Sequence, residues 1–242
     1  GARAETVVTA CGSDTAGGGV NLVTALAAGG DIRIACAGGP NEIRLGAERA
    51  LPSATTIDGG GVTLSGPGSG VMFVPAGPAP LTLRNMTLKN PPSNPADPNV
   101  FTGIVYDSHD VFAVELSNVT VTDTRLPFAV RKLVARASTF TGNGDANNSD
   151  FGVVMAGELD LEQVTFRDNL SRPFHALWRS DPVASGRKIS ARVRQSTFER
   201  NKRPAFWAAG DLVVDQSTFT DNGDALPFVA GGRGRLYADR IY

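Results

Sequence analysis

Four side chains in this sequence have the chemistry of β-elimination on a sugar acid. His175, Lys132 and Tyr106 could remove the proton, and Arg131 could neutralise the resulting charge. Histidine, lysine and tyrosine can each serve as a general base, and an arginine can neutralise the enolate that forms beside a carboxylate. This combination is typical of a lyase that cleaves uronic-acid polymers by β-elimination. The alternative is an exposed histidine beside ordinary surface cations.

A second group of residues has the chemistry to bind sugar rings. Trp178 and Trp207 offer flat faces for stacking on a pyranose, while Arg179 and Lys188 can bond to uronate carboxylates. Together with Arg131, these residues predict a sugar-binding strip.

Basic residues gather late in the chain, where two neighbouring strands could carry them as a stripe for an acidic glycan. Glu199 and Asp215 lie nearby and could instead pair with these cations. The stripe consists of Arg187, Lys188, Arg192, Arg194, Arg200, Lys202 and Arg203.

Metal and glycosidase chemistry find little support in the sequence. Two histidines and two cysteines are too few to suggest a zinc site. Oxygen-rich segments at 107–110 and 145–150 lack the Asp-x-Asp-x-Asp-Gly spacing of a calcium loop. An Asp-Asp pair beside Gly-His-Gly, which would supply the facing carboxylates of a polygalacturonase, is missing too. We expect no metal site and no cofactor, with Ca²⁺ as the alternative.

The composition predicts many short strands rather than long helices. The 242 residues include 28 Gly and 15 Pro, and only 19% of them are charged. The formal net charge of −1 gives no reason to expect nucleic acid as a partner. No run approaches the roughly 18 consecutive apolar residues of a transmembrane helix, so we expect no membrane span.

An eight-residue motif recurs along the chain. It starts with alternating apolar residues, continues with a polar pair and ends in a triplet such as Ser-Thr-Phe, which reads as strand, bend, strand. Copies lie at 81–88, 114–121, 133–140, 159–166, 191–198 and 212–219, with a weaker one at 235–242 and an earlier one at 53–58. The aligned ends, from residue 57 onward, are about 19 to 33 residues apart, which predicts the coils of a parallel β-solenoid.

Residues that recur within and after the motif predict the interior of this solenoid. Four asparagines should form a hydrogen-bonded ladder on left-handed backbone: Asn143, Asn169, Asn201 and Asn222. Two phenylalanine columns should fill the core: Phe140, Phe166, Phe198 and Phe219, and Phe128, Phe151, Phe174 and Phe228. With the second column pointing inward, Ala129, Gly152 and His175 should point outward, and Arg131 should share their face.

The N-terminal part predicts a cap for the open end of the solenoid. Segment 20–28 has a short helical pattern that Gly29 ends. Its predicted apolar side consists of Val20, Val23, Leu26 and Ala27.

Cys11 and Cys36 flank this cap. Their even number and local placement predict one disulfide in an oxidising compartment, with two free thiols as the alternative.

We expect one domain over 1–242, with the cap and first coil at about 5–36 and stacked coils at about 37–242. The last motif copy ends at Tyr242 without an evident cap. We therefore expect this end to contact further chain, another domain or another protomer, with closure by Tyr237 and Tyr242 as the alternative.

The order of segments 7–11, 20–34, 56–61, 63–66 and 81–88 resembles bacterial right-handed β-helix surface proteins of the polymorphic outer-membrane and CSLREA types. The likeness covers nearly the whole chain. It implies an all-β, single-stranded right-handed parallel β-helix, similar to the pectate-lyase fold, with a short N-terminal capping helix. It also implies a protein that is secreted, periplasmic or on the cell surface of a bacterium.

This resemblance implies a module that binds glycan or protein through one face of the helix, without catalysis. A polysaccharide lyase or related carbohydrate-active enzyme is the first alternative, and a structural stalk of a larger exported protein is the second. The sequence leaves open whether the chain is an enzyme.

Overall fold

The computed structural model describes residues 5–36, 38, 41–97, 99–107, 111–145, 152–175, 190–203, 206–208, 211–223, 228–230 and 236–239, with 206–208, 228–230 and 236–239 as backbone only. Within these residues the protein is all-β with one short helix, α1 (Leu22–Ala28). Its strands belong to one continuous sheet.

The first strands are β1 (Thr6–Val8), β2 (Gly12–Ser13), β3 (Gly30–Ile34), β4 (Glu42–Arg44), β5 (Arg49–Leu51), β6 (Thr55–Asp58), β7 (Thr63–Ser65) and β8 (Gly70–Pro75). The middle strands are β9 (Leu81–Lys89), β10 (Thr102–Tyr106), β11 (Ala113–Thr122), β12 (Leu126–Arg136), β13 (Thr139–Thr141), β14 (Gly152–Glu162), β15 (Thr165–Arg167) and β16 (Arg172–His175). The last strands are β17 (Ser190–Arg194), β18 (Thr197–Glu199), β19 (Phe206–Ala208), β20 (Asp211–Asp215), β21 (Thr218–Thr220), β22 (Phe228–Ala230) and β23 (Leu236–Asp239).

Parallel pairing arranges these strands in three columns. The first column contains β1, β3, β6, the starts of β9 and β11, the ends of β12 and β14, β17, β20 and β23. The second contains β2, β4, β7, the ends of β9 and β11, β13, β15, β18 and β21. The third contains β5, β8, β10, the starts of β12 and β14, β16, β19 and β22. We call one passage of the chain through the columns a repeat; neighbouring repeats lie about 4.8 Å apart.

The register confirms the predicted motif. The starts of six copies lie side by side in the first column: Leu81, Val114, Leu133, Leu159, Ala191 and Leu212. Their ends do so in the second: Leu88, Val121, Phe140, Phe166, Phe198 and Phe219. The weaker copy predicted at 235–242 is shifted by one residue, because Leu212 pairs with Leu236, the second residue of that copy. The prediction that residue 57 ends a copy is wrong. Ile57 pairs with Leu83, and Leu64 pairs with Leu88, because a glycine turn at 59–61 replaces the short bend in that repeat.

Stacked aromatic rings fill the interior behind the second column, as predicted. The ring centroids of Phe140 and Phe166, Phe166 and Phe198, and Phe198 and Phe219 are 4.4, 5.2 and 4.8 Å apart. Phe140, Phe166 and Phe198 are fully buried, so the column removes large apolar surfaces from water.

The second predicted phenylalanine column is correct only in part. Phe128 and Phe174 are buried in one row of the third column, but Val154 lies between them where Phe151 was expected. Phe151 itself lies outside the described residues. The error arises because the segment between β13 and β14 is longer than its counterparts, so matching Phe151 to the Pro-Phe pairs of the other repeats gave the wrong register.

A one-residue bend in left-handed backbone joins the first column to the second. Its φ angle lies between 46° and 56° at Asn85, Asn118, Ala137, Gln163, Gln195 and Gln216. The serine of the motif supports this bend. The Ser138 hydroxyl accepts a bond from the Val119 N–H of the preceding repeat and donates to the Arg136 carbonyl.

The predicted asparagine ladder lies between the second and third columns. The Nδ2 atoms of Asn143, Asn169 and Asn201 donate to the Oδ1 atom of the next asparagine at 3.3, 2.8 and 2.7 Å, and Asn222 ends the row. Each amide also donates to a backbone carbonyl, such as that of Phe140 for Asn169. The ladder therefore joins successive repeats through buried, satisfied polar groups.

Two details of the ladder differ from the prediction. The left-handed residue is the one before each asparagine, such as Asp168 before Asn169, and not the asparagine itself. The ladder also continues to Thr124 and Asn90, because the Thr124 N–H donates to Asn143 Oδ1 and the Asn90 N–H donates to Thr124 Oγ1.

Helix α1 lies in the first repeat, where later repeats have a third-column strand, and it packs against β5, β1 and β3. Asn21 accepts a hydrogen bond from the Thr24 N–H and so caps the helix start, while Gly29 ends the helix at φ 65°. The helix is confirmed, but its predicted apolar side is correct only at Leu26. The buried residues are Leu22, Ala25 and Leu26.

The predicted disulfide between Cys11 and Cys36 is present. A buried ion pair supports the same end of the protein. Asp14 accepts a bond from Arg49 Nε at 2.6 Å and one from the Gly46 N–H at 3.3 Å, which joins the turn after β2 to β5.

Replacing Asn169 by alanine should lower the free energy of unfolding by about 3 kcal/mol, because the Asn143 amide loses its acceptor and two carbonyl oxygens lose a donor. Chemical denaturation measures this change. The control is Asn99→Ala in an exposed loop, which should change stability by less than about 0.5 kcal/mol. Equal effects of the two substitutions would contradict the structural role of the ladder.

Replacing both Cys11 and Cys36 by serine should remove about 3 kcal/mol of stability, since the bond closes a loop of 25 residues. Hydrogen exchange should speed up first in β2 and β3, the strands that adjoin Cys11 and Cys36 in the sequence. The wild-type protein under reducing conditions should behave like the double variant. An unchanged exchange pattern would show that the other contacts of the cap suffice.

Candidate functional site

The outer row of the third column contains the predicted His175, but it is a buried row. Tyr106, Ala129, Met155 and His175 lie in register. Ala129, Met155 and His175 are 0%, 8% and 5% exposed. Met155 takes the place predicted for Gly152. The prediction of His175 as an open catalytic base on this face is therefore wrong, because an outward position in this column is not a solvent-exposed one.

Arg131 and Lys132 belong to the bend that leads from the third column into the first. Their cationic groups lie 3.5 and 3.9 Å from the carboxylate of Glu158 in the next repeat. The expected shared face of Arg131 and His175 does not form, because His175 is buried while Arg131 is exposed at the bend that leads away from the third column. Arg131 and Lys132 instead lie where the chain enters the first column.

The structure describes only part of the predicted sugar-binding strip. Trp178, Arg179 and Lys188 lie outside the described residues. The backbone of Trp207 lies in β19 in register with His175, and its side chain is not described.

An open groove lies on the outer face of the first column, across β12, β14, β17 and β20. Its volume is about 350 Å³. One row of outward residues runs from Lys132 through Glu158 and Ser190 to Asp211. The next row runs from Asp160 through Arg192 to Val213. A cation and a carboxylate are therefore neighbours in each row, Lys132 beside Glu158 and Arg192 beside Asp160.

Ion pairs hold the carboxylates beside the groove. Arg136 contacts Asp160 at 2.6 Å and Glu162 at 3.1 Å, and Arg194 contacts Glu162 at 3.2 Å. These residues stand on paired strands, so their positions follow from the register. Each exposed pair contributes little to stability, but a network on rigid strands orients the side chains that a ligand would meet.

Sequence reasoning missed Glu158, Asp160 and Asp211. It searched for polar residues on the third column, whereas the second and fourth positions of the motif already predict the outer rows of the first. At those positions the copies read Asp160 and Glu162, then Arg192 and Arg194. The alternation of acid and base between adjacent copies was the available signal.

The predicted basic stripe divides into separate groups. Arg192 lines the groove and Arg194 pairs with Glu162, both on β17. Arg200 lies at the bend after β18, where it contacts Asp168 at 2.8 Å and Glu199 at 3.2 Å. This contact lowers the pKa of Asp168 and raises that of Arg200. Arg187 lies outside the described residues.

The two oxygen-rich segments have other roles where they are described. Asp107 is buried, and its Oδ2 accepts bonds from the Val111 and Phe112 N–H groups, which shapes the loop before β11. Asp145 lies 3.8 Å from Arg125. The remaining oxygen ligands proposed for Ca²⁺, with His109, lie outside the described residues.

No family model, curated protein or solved structure matches the chain. The one helix among the described residues, α1, lacks the length needed to cross a membrane.

Replacing the buried His175 by alanine should lower the free energy of unfolding by about 2 kcal/mol, because it leaves a cavity under the third column. The matched variant is Arg131→Ala, whose side chain is 56% exposed and which should change stability by less than about 0.5 kcal/mol. Urea denaturation compares the two. A His175→Ala protein as stable as the wild type would contradict the assignment of this row to the packed part of the molecule.

Proposed function

We propose that the chain is an exported glycan-binding module, built as a right-handed parallel β-helix, whose binding face is the groove of the first column. The proposal on the fold is supported by the order in which the chain visits the columns, which is the same in successive repeats. It is also supported by pairing between consecutive repeats in every column. A right-handed path is the strong preference for connections between parallel strands.

The single observation that carries the binding proposal is that cationic and carboxylate side chains lie next to one another in the groove. Lys132 and Arg192 donate hydrogen bonds, while Glu158, Asp160 and Asp211 accept them. Sugar hydroxyls both donate and accept, so such a lining suits them. Val213, which is partly exposed, completes the lining and offers apolar contact to the C–H face of a ring.

The charge balance favours a neutral polysaccharide over a uronic-acid polymer. The described lining has two cations and three carboxylates. Glu158 is paired with Arg131 and Lys132, and Asp160 with Arg136, so the charges left for a polyanion among the described lining residues are Arg192 and Asp211, which balance. We therefore expect a neutral glycan here and not the acidic glycan predicted for the basic stripe that includes Arg192.

Binding without catalysis is favoured over the lyase alternative. Arg131 and Lys132 contact the carboxylate of Glu158 at 3.5 and 3.9 Å, so both cations already have an anionic partner within the protein. His175 is buried in another column. Export is supported by the Cys11–Cys36 disulfide, since such bonds persist in oxidising compartments.

The test compares Arg192→Ala with Arg167→Ala. Both arginines are exposed, but Arg167 lies on the second column, away from the groove. After a glycan array has identified a neutral ligand, calorimetry should show about tenfold weaker binding for Arg192→Ala, as expected for the loss of a charged hydrogen bond. Arg167→Ala should bind as the wild type does.

Equal weakening by both variants would place the binding face elsewhere. An array without any neutral ligand would end the proposal. Release of unsaturated products from uronate polymers would favour the lyase alternative instead.

A further inference from the structure

A second groove lies at the opposite end of the described structure, on the outer face of the second column. Two adjoining depressions of about 460 and 470 Å³ form it, and they share Glu42, Arg44 and Gly46. It crosses β2, β4, β7 and the end of β9, so three steps between repeats give it a length of about 14 Å. None of its described lining residues belongs to the groove of the first column.

The floor of this second groove is one register row of polar side chains. Ser13 pairs with Arg44, Arg44 with Ser65, and Ser65 with Lys89. Ile43, Leu64 and Leu88 alternate with these residues and are fully buried on the inner side. The floor residues therefore stand on strands that cannot shift without disturbing the interior.

A rigid wall forms one side of the groove. It consists of the turns 66–68 and 91–93, which contain Pro67, Pro91 and Pro92. Backbone bonds fix one turn on the other, since the Ser93 N–H donates to the Gly68 carbonyl at 2.7 Å. The buried Asn90 accepts from the Gly68 N–H and donates to two further carbonyls. The wall is pre-organised, which lowers the entropy cost of binding.

The ion pairs in and beside the second groove account for all but one of its charged side chains, and the remaining one is a cation. Glu42 contacts Lys89 at 3.3 Å and accepts a bond from the Ser65 hydroxyl. The Ser65 bond, with help from Lys89 and Arg44, lowers the pKa of Glu42, so this carboxylate is ionised at neutral pH and neutralises Lys89. Asp14, at the rim, is paired with Arg49.

Arg44 is the remaining charge. It is exposed, and among the described residues no carboxylate lies within ion-pair distance of it. An arginine fork in this position can bind a planar carboxylate or a sulfate through two parallel hydrogen bonds.

We propose that this second groove binds a short stretch of an acidic oligosaccharide, with one anionic group on Arg44 and the sugar rings against the proline wall. The step between repeats is close to the length of one pyranose residue in an extended chain, so the groove accommodates about three sugar units. The site does not depend on the proposed function of the first column, because it shares no lining residue with that groove.

A glycan fits this groove better than an acidic peptide. An extended peptide needs partners for its backbone N–H and C=O groups, and it usually finds them at a free sheet edge. The floor is the face of a fully paired sheet rather than an edge. Sugar rings instead need side-chain hydrogen bonds and apolar wall contacts, which the groove provides.

The experiment measures binding of fluorescent tetrasaccharides to the whole chain by anisotropy. The probes are a galacturonate tetramer, a heparin-derived tetrasaccharide, a neutral glucan tetramer and a tetraglutamate peptide. At least one acidic sugar should bind, more weakly at high salt, while the neutral sugar and the peptide should not bind comparably. A preference between the two acidic sugars distinguishes carboxylate from sulfate recognition.

Arg44→Ala should weaken binding of the acidic sugar about tenfold, and Arg44→Lys should restore part of it. The matched control is Arg84→Ala, which removes the same charge from the first-column half of β9 and should leave the affinity unchanged. Unchanged thermal stability shows that each variant is folded. Equal losses in Arg44→Ala and Arg84→Ala, peptide binding as tight as sugar binding, or no binding of either acidic sugar would each overturn the proposal.

Discussion

The contact between like residues of successive repeats is the constraint on which the structure depends. Asn143, Asn169 and Asn201 are buried and bond to one another, so each amide is satisfied only if its counterpart lies directly beside it. The stacked rings of Phe140 and Phe166 require the same alignment. A slip of one residue would bury unpaired amides and expose aromatic rings. The ladder and the rings therefore determine the register, and the register determines every outer row.

Much of the first and second columns could be predicted from the sequence, because both strands and their bend belong to one short motif. The offset from Leu159 to Phe166 is the same as that from Leu133 to Phe140, so alignment of copies gives their neighbours directly. The third column lies beyond a connection of variable length. Matching Phe151 with the phenylalanines of the other repeats placed it where Val154 lies, since only packing fixes the register there.

The candidate site was harder to predict than the fold, because strand alternation gives the direction of a side chain but not what covers it. His175 was expected to be accessible because it alternates with Phe174, yet it is only 5% exposed. Glu158 and Asp211 belong to distant parts of the sequence, and they share a row only because Ser190 pairs with both. Such a site becomes evident once all copies of the motif are aligned in register and the side chains at their outward positions are compared.

Outer residues can vary in charge without affecting the ladder, so binding and stability are carried by different side chains in most of the protein. The second groove is an exception at its N-terminal end, where Ser13 belongs to a two-residue strand beside the cap. Terminal repeats have a neighbour on one side only and open most readily. The Cys11–Cys36 bond and the buried contact of Asp14 with Arg49 oppose that opening. They therefore hold the end of the groove in place, and its affinity depends on the stability of the cap.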